Sequence, residues 1–216
     1  MFDRKQHWEN IYHSRSPEKV SWYQTTPQRS LALIRSCTLE SGDPIIDIGG
    51  GASRLIDHLV QDGYQDLSVL DISATALRHA QQRLGDNARQ VHWIESDITE
   101  FQPPRRFTLW HDRAVFHFLT QAADRAQYVT TLRQALPSGG QLILASFAVG
   151  GPVKCSGLDI VQYDADRLLD TLGAGFELLE EQSENHLTPD HAVQACCKRT
   201  FATPSGERPV RTSQLV

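Results

Sequence analysis

What this chain has little of narrows its function first. Only four cysteines occur in 216 residues, at positions 37, 155, 196 and 197, and none forms a CxxC pair. That spacing suggests neither a structural zinc site nor a thioredoxin-type redox pair. Cys196 and Cys197 are adjacent in a strand pattern, where their side chains point to opposite faces and read as small apolar residues. The nine histidines lack HxxxH-type spacing, so no metal is expected. No apolar run approaches membrane-spanning length. The start, Met1-Phe2-Asp3-Arg4-Lys5-Gln6-His7-Trp8, lacks the apolar core of a signal peptide. A cytoplasmic protein without a membrane partner is the expectation. Basic residues are not in excess either: the formal net charge is −5, which argues against a nucleic-acid partner. There is no internal repeat and no domain linker, so residues 1–202 read as a single domain. Residues 203–216 lack apolar periodicity and read as a tail. The oligomeric state is left open and a monomer is allowed.

What is there is an alternation of strand and helix patterns. Residues 4–13 suit a helix that Pro17 breaks. Val20-Ser21-Trp22-Tyr23-Gln24 follows in a loop. Thr26-Pro27 reads as an N-cap with proline at the first helical position, opening a helix to about Cys37. Strands are expected at 44–48, 67–70, 91–95, 107–111 and 141–147, with helices at 53–62, 73–84 and 123–136 between them. Residues 148–158, with three glycines and a proline, read as a loop. A helix at 164–172 leads to two strands, 176–184 and 192–201, joined through Thr188-Pro189-Asp190. Such alternation predicts a parallel α/β sheet with helices on both faces that finishes antiparallel.

The most informative stretch is Ile45-Ile46-Asp47-Ile48-Gly49-Gly50-Gly51-Ala52-Ser53. A buried-strand pattern runs straight into a glycine-rich turn, where the backbone can approach a ligand closely. The next strand, Leu67 to Leu70, ends in Asp71, an acid placed to accept hydrogen bonds from two ribose hydroxyls. The strand after it ends near Asp97. Acids at three successive strand ends describe a nucleoside-cofactor site on an open sheet.

These residues resemble the class I S-adenosylmethionine-dependent methyltransferases over roughly residues 5–201. The likeness lies in Asp47, Gly49 and Gly51 (with Ser53 where a third glycine often stands), in Asp71-Ile72, in Asp97-Ile98 and in the turn Pro137-Ser138-Gly139-Gly140. It implies a Rossmann-like, seven-stranded mixed sheet with the last strand antiparallel. It also implies an N-terminal helical lid over residues 1–40, with S-adenosylmethionine as cofactor and S-adenosylhomocysteine as product. Val20 to Gln24 and His111-Asp112-Arg113-Ala114-Val115-Phe116-His117-Phe118 are further similar to a bacterial subgroup, the thiopurine S-methyltransferases and their tellurite-resistance relatives. The Asp/Asn-Pro-Pro-Tyr/Phe motif of many amino- and base-methylating members is absent.

By that resemblance, Gly49 and Gly51 admit the amino acid part and ribose, Asp47 binds the ammonium, and Asp71 takes both ribose hydroxyls. Ile72 packs on adenine, and Asp97 with the Ile98 amide binds its edge. His111 sits at the ligand-facing end of strand four. Tyr12 and Trp22, with Trp8 and Tyr23, form an aromatic lid whose faces suit a sulfonium. Arg113 is a candidate anion binder, or else part of an ion pair with Asp112 at a helix start. His117 is a candidate general base or a packed pocket wall. Asp112, Arg113 and His117 are the catalytic candidates. The expected acceptor is a small molecule, a thiol or chalcogen compound in the first instance. A protein lysine or a non-catalytic role in binding S-adenosylmethionine are the alternatives.

Overall fold

The structure, a computed structural model, describes residues 2–113, 115–188 and 193–204. The turn expected at Pro189-Asp190 and most of the tail from 205 lie outside the described residues. Helix α1 (Arg4–Ser14) is capped by Asp3, whose carboxylate accepts from the Gln6 amide at 2.9 Å. After a short 3-10 turn at Pro17–Lys19 comes α2 (Gln28–Ser36). Pro27 occupies the cap position, not the first helical one, because the Gln28 amide is already turned back onto the Thr26 carbonyl at 2.8 Å.

The alternating core then unfolds in order: β1 (Ile45–Ile48), α3 (Leu55–Gln61), β2 (Leu67–Asp71), α4 (Ala74–Leu84), β3 (Val91–Glu95), β4 (Leu109–Arg113), α5 (Ala122–Ala135) and β5 (Gln141–Phe147). Two-residue strands β6 (Lys154–Cys155) and β7 (Leu158–Asp159) interrupt the segment expected as plain loop. Their turn residues Ser156 and Gly157 have φ of 52° and 79°, the pairing that tight hairpins require. Strands this short carry no readable period. Helix α6 (Ala165–Leu172), capped by Asp164, precedes β8 (Glu177–Leu187) and β9 (Val193–Ala202).

Seven strands form one sheet in the order β3-β2-β1-β4-β5-β9-β8. The pairs from β3 to β5 are parallel, and β9 is antiparallel to both of its neighbours. This is the Rossmann-like mixed sheet expected from the alternation. Apolar side chains of α2, α3 and α4 cover one face around Ile45, Val69 and Leu109. Those of α5 and α6 cover the other around Ile46, Ile48, Trp110 and Leu144. Both faces of β1 and β2 are therefore buried, which is why they read as continuous apolar runs.

Strand four lies two residues later than its pattern suggests. Phe107 spends its amide on the Ala135 carbonyl at the end of α5, and Thr108 donates to Pro44, so pairing with β1 begins at Leu109. Asp112 and Arg113 consequently belong to the strand, not to a helix start. That shift decides the roles of three site candidates.

Candidate functional site

A cavity opens at the carboxyl ends of β1 to β5, where open α/β sheets bind ligands. Together with the open solvent at its mouth it spans about 1370 Å³.

Its floor at one end is the turn after β1. The amides of Gly49 and Gly50 donate to the Leu70 carbonyl at 2.7 and 3.2 Å, which clamps the turn over the end of β2. Gly49 has φ of 66°, and a Cβ there would collide with Val115. Gly50 and Ser53 line the cavity, whereas Gly51 lies behind them. A Cβ on Gly51 would run into the Asp71 carboxylate and Ala76, so this glycine makes room for the acid and for α4 instead of touching the cavity. Ser53 caps the following turn, its Oγ accepting from the Leu55 amide at 3.2 Å.

Asp71 lies at the end of β2, buried, and one carboxylate oxygen accepts from the Ser73 amide at 2.8 Å. Burial, reinforced by the charges of Asp47 and Glu9, pushes its carboxyl up to about 7. Ile72 and Ile98 line the wall on either side, and Asp97 stands beyond them. Asp97 accepts from the Thr99 amide and hydroxyl, both at 2.8 Å, and its second oxygen lies 3.6 Å from the Arg4 guanidinium.

The roof is aromatic. Trp8 meets Trp22 and Phe118 edge-on at 5.7 and 5.1 Å between ring centroids, and Tyr12 meets Trp22 at 6.3 Å. Burial and the nearby Asp71 charge push the Tyr12 phenol well up. Helix α1 is tied down by Arg4 on Asp124, by Lys5 on Glu95, and by Glu9 on the Thr75 amide and hydroxyl. Exposed ion pairs such as Lys5–Glu95 contribute little on their own, and the buried Tyr12 with the partly buried Trp8 adds apolar packing to this docking.

Three candidates occupy places the sequence pattern does not reveal. His111 does not face the cavity. The parallel register sets it beside Asp47 on the neighbouring strand, Nδ1 2.7 Å from the Asp47 carboxylate, and its Nε2 lies 3.0 Å from the Ser30 hydroxyl on α2. His111 and Ser30 are 1% and 0% exposed, so this Ser-His-Asp chain holds Asp47 in place and offers no nucleophile to a ligand. Asp112 is one residue further along β4 and points to the opposite face. It accepts from the amides of Val115 (2.8 Å) and Phe116 (3.2 Å) and from the Tyr128 hydroxyl (2.7 Å), and it does not line the cavity. Its exposure is 0%, and burial pushes its carboxyl up to about 7. Asp112 shapes the 3-10 turn Phe116–Phe118 from outside the cavity lining.

Arg113 does line the cavity, but not in an ion pair with Asp112. Its guanidinium donates to the Trp22 carbonyl at 3.1 Å and to the Gln24 side chain at 2.9 Å, strapping the aromatic loop to the end of β4. His117 lines the cavity between Phe118 and Phe147, its ring centroid 4.3 and 5.0 Å from theirs. Desolvation drops its imidazole to about 3, so the ring is neutral at physiological pH.

Residues the sequence reading passed over complete the far wall: Val115, Ser146, Phe147, Cys196 and Lys198, with Cys155 of the β6–β7 hairpin. Burial raises the Cys155 thiol. The only prior signal for Lys198 was its lysine in an otherwise buried strand pattern, Ala195-Cys196-Cys197-Lys198.

Comparison with known proteins fits this site. Residues 46–142 match the sequence profile of a methyltransferase domain. A SAM-dependent methyltransferase from Anabaena variabilis has the same fold, with a TM-score of 0.74 at 14% identity, covering 94% of this chain and 96% of that one. The N-methyltransferase NodS from Bradyrhizobium japonicum, in complex with S-adenosylhomocysteine, gives 0.70 at 19% identity, covering 94% and 100%. Among curated proteins, the mouse eEF1A lysine and N-terminal methyltransferase is 25% identical over 103 residues, 48% of this chain and 14% of that protein's length. The chain thus spans only a small part of that relative. It shares the fold of these SAM-dependent methyltransferase structures, and the profile match falls within that fold. S-adenosylmethionine is the cofactor of that class.

The strap gives one expected result. Arg113→Ala removes two hydrogen bonds from a charged donor, and kcat/KM falls roughly 10- to 100-fold while the variant still melts cooperatively. Steady-state kinetics beside a melting curve test this, and normal kinetics would reduce Arg113 to a structural tie.

Proposed function

We propose that this protein transfers a methyl group from S-adenosylmethionine to a small-molecule acceptor whose nucleophile is a thiol or another chalcogen. The cavity suits the cofactor: a turn too tight for side chains at Gly49, a buried carboxylate at Asp71 whose charge ribose hydroxyls would stabilise, and an aromatic roof. Bound there, the cofactor supplies a sulfonium methyl group, and the C–S bonding pair leaves with S-adenosylhomocysteine. Asp71 accepts the ribose hydroxyls. Ile72 and Ile98 flank the adenine, and Asp97 accepts from its amino group. Asp47, steadied by His111, holds the ammonium. Trp8, Tyr12 and Trp22 exclude water and face the sulfonium.

One observation carries the choice of acceptor. Among the described residues no carboxylate lines the cavity beyond β4, Asp112 is sealed off, and the one lining imidazole, His117, is too weak a base to deprotonate an amine or alcohol. A thiol that has already lost its proton to water needs no base, only alignment with the methyl group. The aromatic roof disfavours a lysine side chain, and no acid among the described residues stands at the far wall to meet its charge. The mouse relative keeps a protein acceptor as the second reading.

Methyl transfer from labelled S-adenosylmethionine, run on small thiols and chalcogenides and on a cell lysate, separates the two. Label in small products is the expected outcome. Label confined to one protein band would overturn the small-molecule reading. Tight cofactor binding with no label transferred to any acceptor would favour a non-catalytic role.

A further inference from the structure

Arg4 opens α1 and lines the cavity together with Ser96, Asp97 and Ile98. Its guanidinium reaches two acids that belong to two other parts of the fold. One nitrogen lies 3.6 Å from Asp97 Oδ2, just past the end of β3, and another donates to Asp124 in the first turn of α5. One side chain thus ties the lid helix to the end of a core strand and to the start of a core helix. The side chains of Arg4, Asp97 and Asp124 are 32%, 19% and 23% exposed, so the cluster sits at the cavity rim, partly shielded from water. The next residue along α1 provides the contrast. Lys5 pairs with Glu95 at 56% and 43% exposure, and neither residue lines the cavity.

The two oxygens of Asp97 serve different partners. Oδ1 accepts from the Thr99 amide and hydroxyl, both at 2.8 Å, and Oδ2 faces Arg4. A carboxylate oxygen has two acceptor sites, so Oδ2 can face a guanidinium and still accept from an amino group in the cavity. What that second bond is worth depends on the lid. With α1 seated, a ligand lacking the amino group leaves Oδ2 short of a donor. With α1 lifted, water supplies the donor and the difference shrinks.

We propose that Arg4 is a positioning residue for the adenine of S-adenosylmethionine. By bridging Asp97 and Asp124 it orients the oxygen that accepts from adenine and closes α1 over that end of the cavity. Reading the exocyclic amino group and seating the lid are then one event. This rests on the placing of adenine at Asp97 above, and adds the part played by the lid.

The test measures, by calorimetry on the full chain, binding of S-adenosylhomocysteine and of its analogue lacking the exocyclic amino group. The wild type is expected to bind S-adenosylhomocysteine at least about tenfold tighter than the analogue. In Arg4→Met, which keeps the apolar stem, S-adenosylhomocysteine weakens about tenfold and its advantage over the analogue falls below about threefold. Lys5→Met, which breaks only the exposed pair, leaves both values as in the wild type. Hydrogen exchange is the second readout. S-adenosylhomocysteine slows exchange of the α1 amides in the wild type and in Lys5→Met, and does so far less in Arg4→Met. Should Arg4→Met fail to melt cooperatively, Asp124→Asn, which leaves Arg4 and Asp97 in place, carries the test with a smaller loss of both affinity and advantage. An equal loss in Lys5→Met overturns the proposal. An advantage that Asp97→Ala abolishes but Arg4→Met leaves undiminished also overturns it, and keeps adenine at Asp97. No advantage in the wild type defeats the adenine placement and the proposal together.

Discussion

Asp71→Ala lowers the affinity for S-adenosylmethionine by about 2–4 kcal/mol, roughly 30- to 1000-fold. The carboxylate is buried, and one oxygen is committed to the Ser73 amide at 2.8 Å. Gly51 leaves the space into which the other oxygen projects. Two ribose hydroxyls donating to an ion in such a site form charge-assisted bonds that water cannot replace once the roof is shut. The effect carries a pH signature. In the folded protein the Asp71 carboxyl titrates near 7 instead of 3.8, because burial and the charges of Asp47 and Glu9 favour its protonated form. Its contribution to folding stability is therefore full below pH 3.8 and is lost as pH rises through 7. Hydroxyl donors favour the ionised form, so cofactor binding releases a proton near neutrality and affinity falls as pH drops below 7. Calorimetry in buffers of different ionisation enthalpy reads that proton. Asp71→Asn abolishes the proton release. Unchanged affinity in the alanine variant would defeat the ribose assignment.

The second large effect falls on Asp112, which titrates near 7 for the same physical reason yet plays another part. Asp112→Ala strips the acceptor from the part-buried Val115 amide and from the buried Phe116 amide and Tyr128 hydroxyl. The expected cost is about 3–4 kcal/mol, a fall in melting temperature of about 6–16 °C for a chain of this size. Asp112→Asn keeps an acceptor for the amides and offers a donor to Tyr128. It loses little stability and retains methyl transfer. Melting curves beside turnover decide the matter: a well-folded Asp112→Asn protein without activity would restore Asp112 to the chemistry.

The legible parts of this molecule were those written in local pattern. Strand β1 and its glycine turn, β2 ending in Asp71, and the Ser73 cap and Gly85 stop of α4 all follow from apolar runs, caps and breakers within a dozen residues. The β1–β3 end of the cavity is built from those same strand ends, which is why its lining could be read. Strand β4 was misplaced by two residues because its start depends on where Phe107 and Thr108 find partners, at Ala135 and Pro44, far along the chain. The β6–β7 hairpin was invisible because two residues per strand make no pattern. The far wall was missed because Ser146, Cys196 and Lys198 lie in strands whose neighbours are 50 residues distant in sequence.

By itself, the sequence determined the α/β class, the seven-stranded alternation and the three acids at successive strand ends, since each is a consequence of local periodicity and of where a strand stops. Only the tertiary structure decided which polar groups meet. Side chains alternate across a sheet, and parallel register sets Asp47 beside His111 and Ile48 beside Asp112. One residue therefore braces Asp47 from behind, and the next serves the opposite face, bonded to Tyr128 of α5. Burial did the rest. It raised Asp71 and Asp112 alike and lowered His117, and whether a raised or lowered group faces the cavity depends on packing, to which a single residue's neighbours in sequence are blind.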